Sequence, residues 1–394
     1  MRVAVFTDYV YRRERDLIYS ERAFGLFLAE LGEKVDQLEV IGRITSDSNS
    51  ARPARYPLPA GVRFVALPHY ESLVHPRAVL ASLLRSVRTM WRALDDVDVA
   101  WILGPYPHSV ALVLVAMARR RPVVLGVRQD WPRYVRMRRP ERPWLHRAAD
   151  VLEWTWRALG RRLPVVAVGA ELASNYASAP AVLELAVSVV PEAVVDAAPS
   201  ADRRDYGGDL KVLSVGRLEP EKNPLLLADI LAGLNAGDPR WHLSVCGEGE
   251  LADALHDRLR ERGVAQDADL LGYIPMGEHL LDLYRDSHAL LHVSWTEGFP
   301  QVLVEAFATG LPVVATAVGG VPAGVGEAAV LIAPGDADAA VGALTRVAGD
   351  PALRARLVAA GRERASDQTI EAQTERLRAF LAAQTERDGR GRVR

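Results

Sequence analysis

Two pairs of side chains carry the chemistry that this sequence can do. Arg217 and Lys222 stand five residues apart in VGRLEPEKNP (215–224), a turn-rich loop that follows a short apolar run. Cations at the mouth of a parallel sheet suit an anion, and a guanidinium meets phosphate oxygens in bidentate fashion. Glu297 and Glu305 stand eight apart in SWTEGFPQVLVEAFATG (294–310). Pro300 suits a first helical position after the turn at Gly298 and Phe299, and Val302 to Ala308 are almost all apolar, so the spacing predicts a helix over 300–309 buried on most sides. Glu297 falls in the loop before it, near N–H groups that the helix leaves unsatisfied. Those at Phe299, Gln301 and Val302 suit phosphate. Glu305 lies about 7.5 Å further along the axis, where a carboxylate could accept both hydroxyls of a ribose whose phosphates sit at the helix start. Other readings stay open at this point. Arg217 and Lys222 could be solvated charges or partners of Glu219 and Glu221, and Glu305 could pair internally with an arginine.

The elements that must position these groups alternate between short apolar runs and helical patterns, the mark of parallel sheets with crossover helices. Strands are expected at 2–7, 35–40, 62–67, 98–103, 122–127, 164–168 and 186–190, with helices near 21–31, 77–94, 108–119 and 143–160. The Pro-, Ala-, Asp- and Gly-rich stretch 191–209 breaks this rhythm and reads as a linker. Strands then resume at 211–215, 242–246, 268–272, 289–293, 312–316 and 329–333. Helices near 223–234, 249–262, 277–286, 300–309 and 336–347 separate them, followed by 351–364 and 368–384. The tail 387–394 is expected to fray. The division is a first domain over 1–195, a linker over 196–209, a second domain over 210–365 and a terminal helix and tail over 366–394. Two doubly wound Rossmann-like domains facing across a cleft would place a ligand at the carboxyl ends of the strands.

Composition narrows the class. The net charge of −2 gives no reason to expect nucleic acid, and 49% hydrophobic with 25% charged residues is the balance of a soluble protein. The first residues read as a short strand with an early acid rather than a leader, and the longest apolar run, 108–118, is too short to span a bilayer. These readings point to the cytoplasm. Cys246 is the single cysteine, which excludes an internal disulfide and thiolate metal sites. GEGELA (247–252) satisfies the relaxed dinucleotide pattern, but the next strand lacks the acid that would hold a ribose, so no NAD is expected. Asp-x-Asp pairs occur at Asp96–Asp98, Asp267–Asp269 and Asp336–Asp338. The first two precede strands, the wrong end of a sheet for a ligand, and the third opens a helix where acids favour the dipole. No metal and no cofactor is expected.

Together VGRLEPEKNP and EGFPQVLVEA, with GEGE (247–250), LGYIP (271–275) and ATAVGGVP (315–322) in order, closely resemble the retaining GT-B nucleotide-sugar glycosyltransferases of the family-4 type over about 210–335. The resemblance implies a GT-B fold whose last helix crosses back to the first domain, over 368–384. It implies a nucleotide diphosphate sugar as donor and metal-independent hexosyl transfer to an acceptor that is not identified. Arg217 and Lys222 would contact the diphosphate, Glu297 the transferred sugar and Glu305 the ribose. Gly216, Gly298, Phe299, Gln301 and Val302 would complete the phosphate loops, and backbone around Tyr273 and Ile274 would hold the base. The first half departs from the family pattern. No glycine pair follows the first strand, and where many members carry a histidine this sequence offers Arg128 and Asp130 in VVLGVRQDW (123–131), residues expected at the cleft by position alone. The rival readings are an epimerase or phosphorylase on the same fold, or a sugar-nucleotide binding protein without activity.

Residues 128–162 hold ten arginines, four acids and four tryptophans. That suits an anionic acceptor or peripheral contact with an anionic membrane at the inner face, or else a crossover helix with tryptophans packed inward.

Overall fold

The computed structural model describes residues 1–15, 17–45, 56–198, 204–298 and 300–391. It forms two compact units, Met1–Val187 with Glu371–Arg394, and Ser188–Ile370.

In the first unit the strands are β1 (Arg2–Glu14), β2 (Leu17–Ser20), β3 (Gln37–Thr45), β4 (Tyr56–Pro57), β5 (Val62–Leu67), β6 (Val99–Gly104), β7 (Val123–Val127), β8 (Val165–Val168) and β9 (Val182–Leu185). The helices are α1 (Phe24–Glu33), α2 (Pro76–Ala93), α3 (Pro107–Ala118), α4 (Trp131–Arg138), α5 (Pro143–Gly160) and α6 (Ala170–Ser174). The parallel core runs β5-β3-β1-β6-β7-β8-β9. β6 and β7 are buried at every position, as strands covered on both faces must be, which is why they read as unbroken apolar runs.

Two expectations change here. β1 runs past residue 7 to Glu14, bulging between Phe6 and Val10, and pairs antiparallel with β2 from Tyr11 opposite Ser20. No glycine interrupts VYRRE, so nothing ends the strand before the turn, where Arg15 takes a positive φ of 52°. The strand expected at 186–190 is instead β9, four residues earlier. Its ladder ends where Ala186 N–H donates to the side chain of Gln373 rather than to a strand, at 2.9 Å.

The second unit opens with α7 (Glu192–Asp196), inside the stretch read as linker. From residue 204 the chain is tied to the domain by a side chain: the Arg204 guanidinium donates to the carbonyls of Ser287 (2.8 Å) and Thr309 (3.0 Å). The strands are β10 (Leu210–Val215), β11 (Trp241–Cys246), β12 (Ala268–Gly272), β13 (Ala289–His292), β14 (Val313–Thr316) and β15 (Ala329–Ile332). The helices are α8 (Leu226–Gly237), α9 (Ala252–Glu261), α10 (Glu278–Asp286), α11 (Gln301–Ala308), α12 (Val321–Val325), α13 (Ala337–Gly349) and α14 (Pro351–Ser366). All six strands are parallel in the order β12-β11-β10-β13-β14-β15, with an apolar core on each face. α11 is buried from Leu303 to Ala308 and packs on α14, where Gly361 leaves room for the Phe307 ring.

The last helix, α15 (Ile370–Gly391), joins the first unit from Glu371 onward. Lys34 Nζ donates to the Glu371 carbonyl at 2.6 Å, and Arg376 to that of Glu184 at 3.0 Å. The helix runs to Gly391, across part of the tail expected to fray, and 392–394 lie outside the described residues.

Candidate active site

In the second unit the strand order reverses direction between β10 and β13, and a doubly wound sheet binds its ligand at that reversal. The loops leaving these two strands carry Arg217, Lys222 and Glu297. The first closes in a 3-10 turn, Pro220–Lys222, ended by Asn223 in the left-handed region. The second is joined to it where Trp295 N–H donates to the Glu221 carbonyl at 2.9 Å.

Backbone contact fixes the rest of the platform. Gly216 N–H donates to the Cys246 carbonyl at 2.9 Å, and Gly247 N–H to that of Gly272 at 2.7 Å. A Cβ on Gly247 would lie 1.7 Å from the Gly216 oxygen, one on Gly249 2.2 Å from that of Leu218, and one on Gly320 2.1 Å from that of Gly298. The glycines of GEGE therefore serve close loop packing. The space about Gly298 is open.

Arg217 pairs with Glu219 and, at 2.8 Å, with Glu221, as one of the two open readings held. Lys222 does something the sequence did not disclose: its ammonium pairs with Glu297. The same carboxylate accepts from Ser294 Oγ at 2.7 Å and meets His292 Nε2 at 3.1 Å. Burial pushes the Glu297 carboxyl up, but Lys222 and the His292 hydrogen bond outweigh it and hold it down at about 2. Glu297 thus bonds to side chains from both loops. His292 escaped the sequence reading, although the spacing His-x-Ser-x-x-Glu at a strand end was visible.

Glu305 is buried on α11 and has a tyrosine, not an arginine, as its partner: Tyr284 O–H donates to it at 2.6 Å. Burial raises its pKa, with the Tyr284 bond opposing. Pro300 caps α11 with extended backbone, so the helix starts at Gln301, and Phe299 lies outside the described residues. Gln301 and Val302 occupy the half-buried first turn. At the last residue of β12, Gly272 takes a positive φ of 68°, which turns the chain toward half-buried Tyr273 and Ile274, the latter packed on the core.

Arg128 and Asp130 belong to the first unit. The Arg128 guanidinium lies 4.2 Å over the Phe24 ring and donates to the Tyr9 hydroxyl. Asp130 caps α4, accepting from Arg133 N–H at 3.0 Å. In the basic segment Trp156 is fully buried while Trp154 is 71% exposed and Trp144 45% exposed, so inward packing accounts for only part of its tryptophans.

Among the described residues no group of three or more His, Cys, Asp and Glu could hold a metal ion, and no helix is long and apolar enough to cross a membrane. Asp336 caps α13, Asp269 pairs with His242 and Asp98 accepts from Arg2 N–H at 2.7 Å, which gives all three Asp-x-Asp pairs structural partners. Burial pushes the Cys246 thiol up to about 11, as for an inert core residue.

Residues 200–364 match the model of the family Glycosyl transferases group 1. A glycogen synthase of Mycobacterium tuberculosis is 34% identical over 197 residues, covering 48% of this chain and 47% of that protein. A D-inositol 3-phosphate glycosyltransferase of Corynebacterium efficiens is 38% identical over 141 residues, covering 34% and 33%. The chain thus spans about half the length, or less, of these curated relatives. Among solved structures, a sucrose-phosphate synthase from Thermosynechococcus elongatus superposes with a TM-score of 0.72 at 17% identity, over 97% of this chain and 99% of that one. Anabaena HepE in complex with UDP-glucose does so with a TM-score of 0.71 at 16% identity, over 97% and 100%. The fold is GT-B.

Proposed function

With residues 200–364 matching the group 1 glycosyl transferases on a GT-B fold, we propose that the protein is a retaining glycosyltransferase moving a sugar from a nucleotide diphosphate sugar to an acceptor hydroxyl. The observation that carries this is the set of Arg217, Lys222 and Glu297 on the two loops at the strand reversal of the second unit. Arg217 and Lys222 take the diphosphate, Glu297 the transferred sugar, Glu305 the ribose, and the backbone at Tyr273 and Ile274 the base.

In the chemical step the acceptor oxygen bonds to the anomeric carbon as the bond to the diphosphate breaks on the same face. The acceptor proton passes to the departing phosphate oxygen. Negative charge grows on that diphosphate, so the two cations bind the transition state better than the ground state. Glu297, ionised and shared among Lys222, Ser294 and His292, is a weak base and a weak nucleophile, which favours front-face attack without a glycosyl-enzyme.

The reading needs no metal, and turnover should survive excess EDTA. Incubation with UDP-glucose and other labelled donors over an acceptor panel tests it by nucleotide release and a new glycoside. Release without a glycoside points to hydrolysis or epimerisation, and binding without release to a sensor. A second reading, peripheral contact with an anionic membrane at its cytoplasmic face, is favoured by exposed Trp144 and Trp154 among the arginines of 128–162. Sedimentation with anionic vesicles at low but not high salt checks it.

A further inference from the structure

Glu297 uses its two carboxylate oxygens unequally. Three donors meet on Oε1: the Lys222 ammonium, Ser294 Oγ at 2.7 Å and His292 Nε2 at 3.1 Å. Among the described residues none bonds Oε2. One oxygen is held and the other is left for a ligand. The three donors differ in how they are fixed. Lys222 ends the 3-10 turn, its side chain is 21% exposed, and in the transfer reading a diphosphate competes for its ammonium. His292 is the last residue of β13, in register with Ala315 of β14, and Ser294 follows just beyond. Both are buried, and the Ser294 carbonyl accepts from Thr316 Oγ1 at 2.8 Å, which ties the loop to the end of β14. Donors carried by sheet ends keep their place when a turn shifts.

His292 carries a further mark. Leu291 and Val293 face one core of the unit, and His292 stands on the side of Leu290, which faces the other. An apolar residue would fill that place without polar cost. The imidazole instead leaves Nδ1 buried with no partner among the described residues. A carboxylate only accepts, so the contact with Glu297 puts the ring proton on Nε2. An unmet buried nitrogen destabilises the fold, and the N–H given to Glu297 is what the ring supplies in return.

We propose that His292 is a positioning residue for Glu297: with Ser294 it keeps Oε1 fixed when a diphosphate draws Lys222 away, and so leaves Oε2 free for a hydroxyl of the transferred sugar. The inference rests on the transfer reading above for the identity of the ligand, though not for the hydrogen bond itself. His292 moves no proton in the reaction and acts only through Glu297.

The test uses the full chain, with UDP and UDP-glucose as probes. His292→Gln and His292→Met form the informative pair. Both side chains have similar length, but only glutamine places an N–H as many bonds from Cβ as Nε2 of the histidine. His292→Met should lower kcat/KM for UDP-glucose over the acceptor panel at least about tenfold. Its affinity for UDP should stay within about twofold of wild type, since UDP has no sugar for Glu297 to meet. His292→Gln should recover kcat/KM to within about threefold of wild type. In wild type, 15N NMR of the His292 ring, assigned by its loss in His292→Gln, should show the Nε2–H tautomer with and without saturating UDP. A merely structural role would lower stability and UDP affinity together and would not separate glutamine from methionine. That outcome, undiminished kcat/KM in His292→Met, or an Nδ1–H tautomer overturns the proposal. The tautomer stands as evidence even where His292→Met does not fold. If wild type forms no glycoside from UDP-glucose, the transfer reading falls for this donor and the tautomer still decides the inference.

Discussion

Two buried carboxylates, one in each unit at a central strand or the loop leaving it, face a cation and differ in outcome. Asp8 beside Arg43 is held up at about 6, because burial outweighs Arg43 and the Tyr70 bond. Glu297 beside Lys222 comes down to about 2, although burial acts on it in the same direction. The difference lies in what else each partner serves. Arg43 spends its donors on two backbone carbonyls as well, whereas Lys222 and two further side chains converge on Glu297. One unit therefore keeps a carboxyl able to bond as a neutral or charged group, and the other a fixed charge on the loop where the proposed function puts the donor.

The strongest way to break this comparison is to remove the cations. Arg43→Met should destabilise the chain by about 3–5 kcal/mol at pH 7, since it strands a buried carboxylate. The loss should shrink toward pH 5 as Asp8 protonates; urea denaturation at both pH values reads it. Lys222→Ala and Arg217→Ala should each lower kcat at saturating donor by roughly 10²–10³, about 3–4 kcal/mol. Lys222→Ala should also lower Tm more, because it leaves buried Glu297 without its cation, while Arg217 is held in a pair 39% exposed on its side. Near-normal kcat in both variants would remove the proposed mechanism.

Glu305→Gln sharpens the picture at smaller scale. Donor KM should rise roughly tenfold with a lesser change in kcat, as expected of a contact that changes little while the sugar bond breaks. A variant that loses stability but keeps wild-type kinetics would make Glu305 structural.

The smallest effect is the pH profile of stability, where the two carboxyls act with opposite sign. Glu297, depressed, contributes stability present above its ordinary value of 4.5 and lost as pH falls toward about 2. Asp8, raised, contributes stability present below 3.8 and lost as pH rises through about 6. Glu297→Gln should flatten the acid limb and Asp8→Asn the segment between about 4 and 6, each read by denaturation across pH.

The second unit was the more legible. Each of its strands announced itself as a short apolar run, and Arg217, Lys222 and Glu297 fell on loops at strand ends because a doubly wound sheet leaves few other places for them. What stayed hidden was pairwise. Nothing in the spacing of Lys222 and Glu297, seventy-five residues apart, says that they meet, nor that Glu305 finds Tyr284 across two helices. In the first unit the helix near 77–94 was legible, but its buried face does not follow its apolar residues. α2 turns Ser82 and Ser86 inward, where Ser82 bonds the Pro68 carbonyl at 2.7 Å, and leaves Leu84 and Trp91 outside. Asp8 passed for an early acid in a strand, since its partners Arg43 and Tyr70 arrive from two other strand ends.

Three glycines of the second unit carry a consequence for redesign. Gly247, Gly249 and Gly320 each touch a neighbouring loop's carbonyl where a methyl group has no room. Swapping a side chain at 217, 222 or 297 alters side-chain pairs only and leaves the backbone contacts between the loops in place. A methyl at 247, 249 or 320 instead wedges two loops apart and displaces several contacts together. A library aimed at a new sugar donor will keep far more of its members alive if it varies the pointing side chains and holds those three positions fixed.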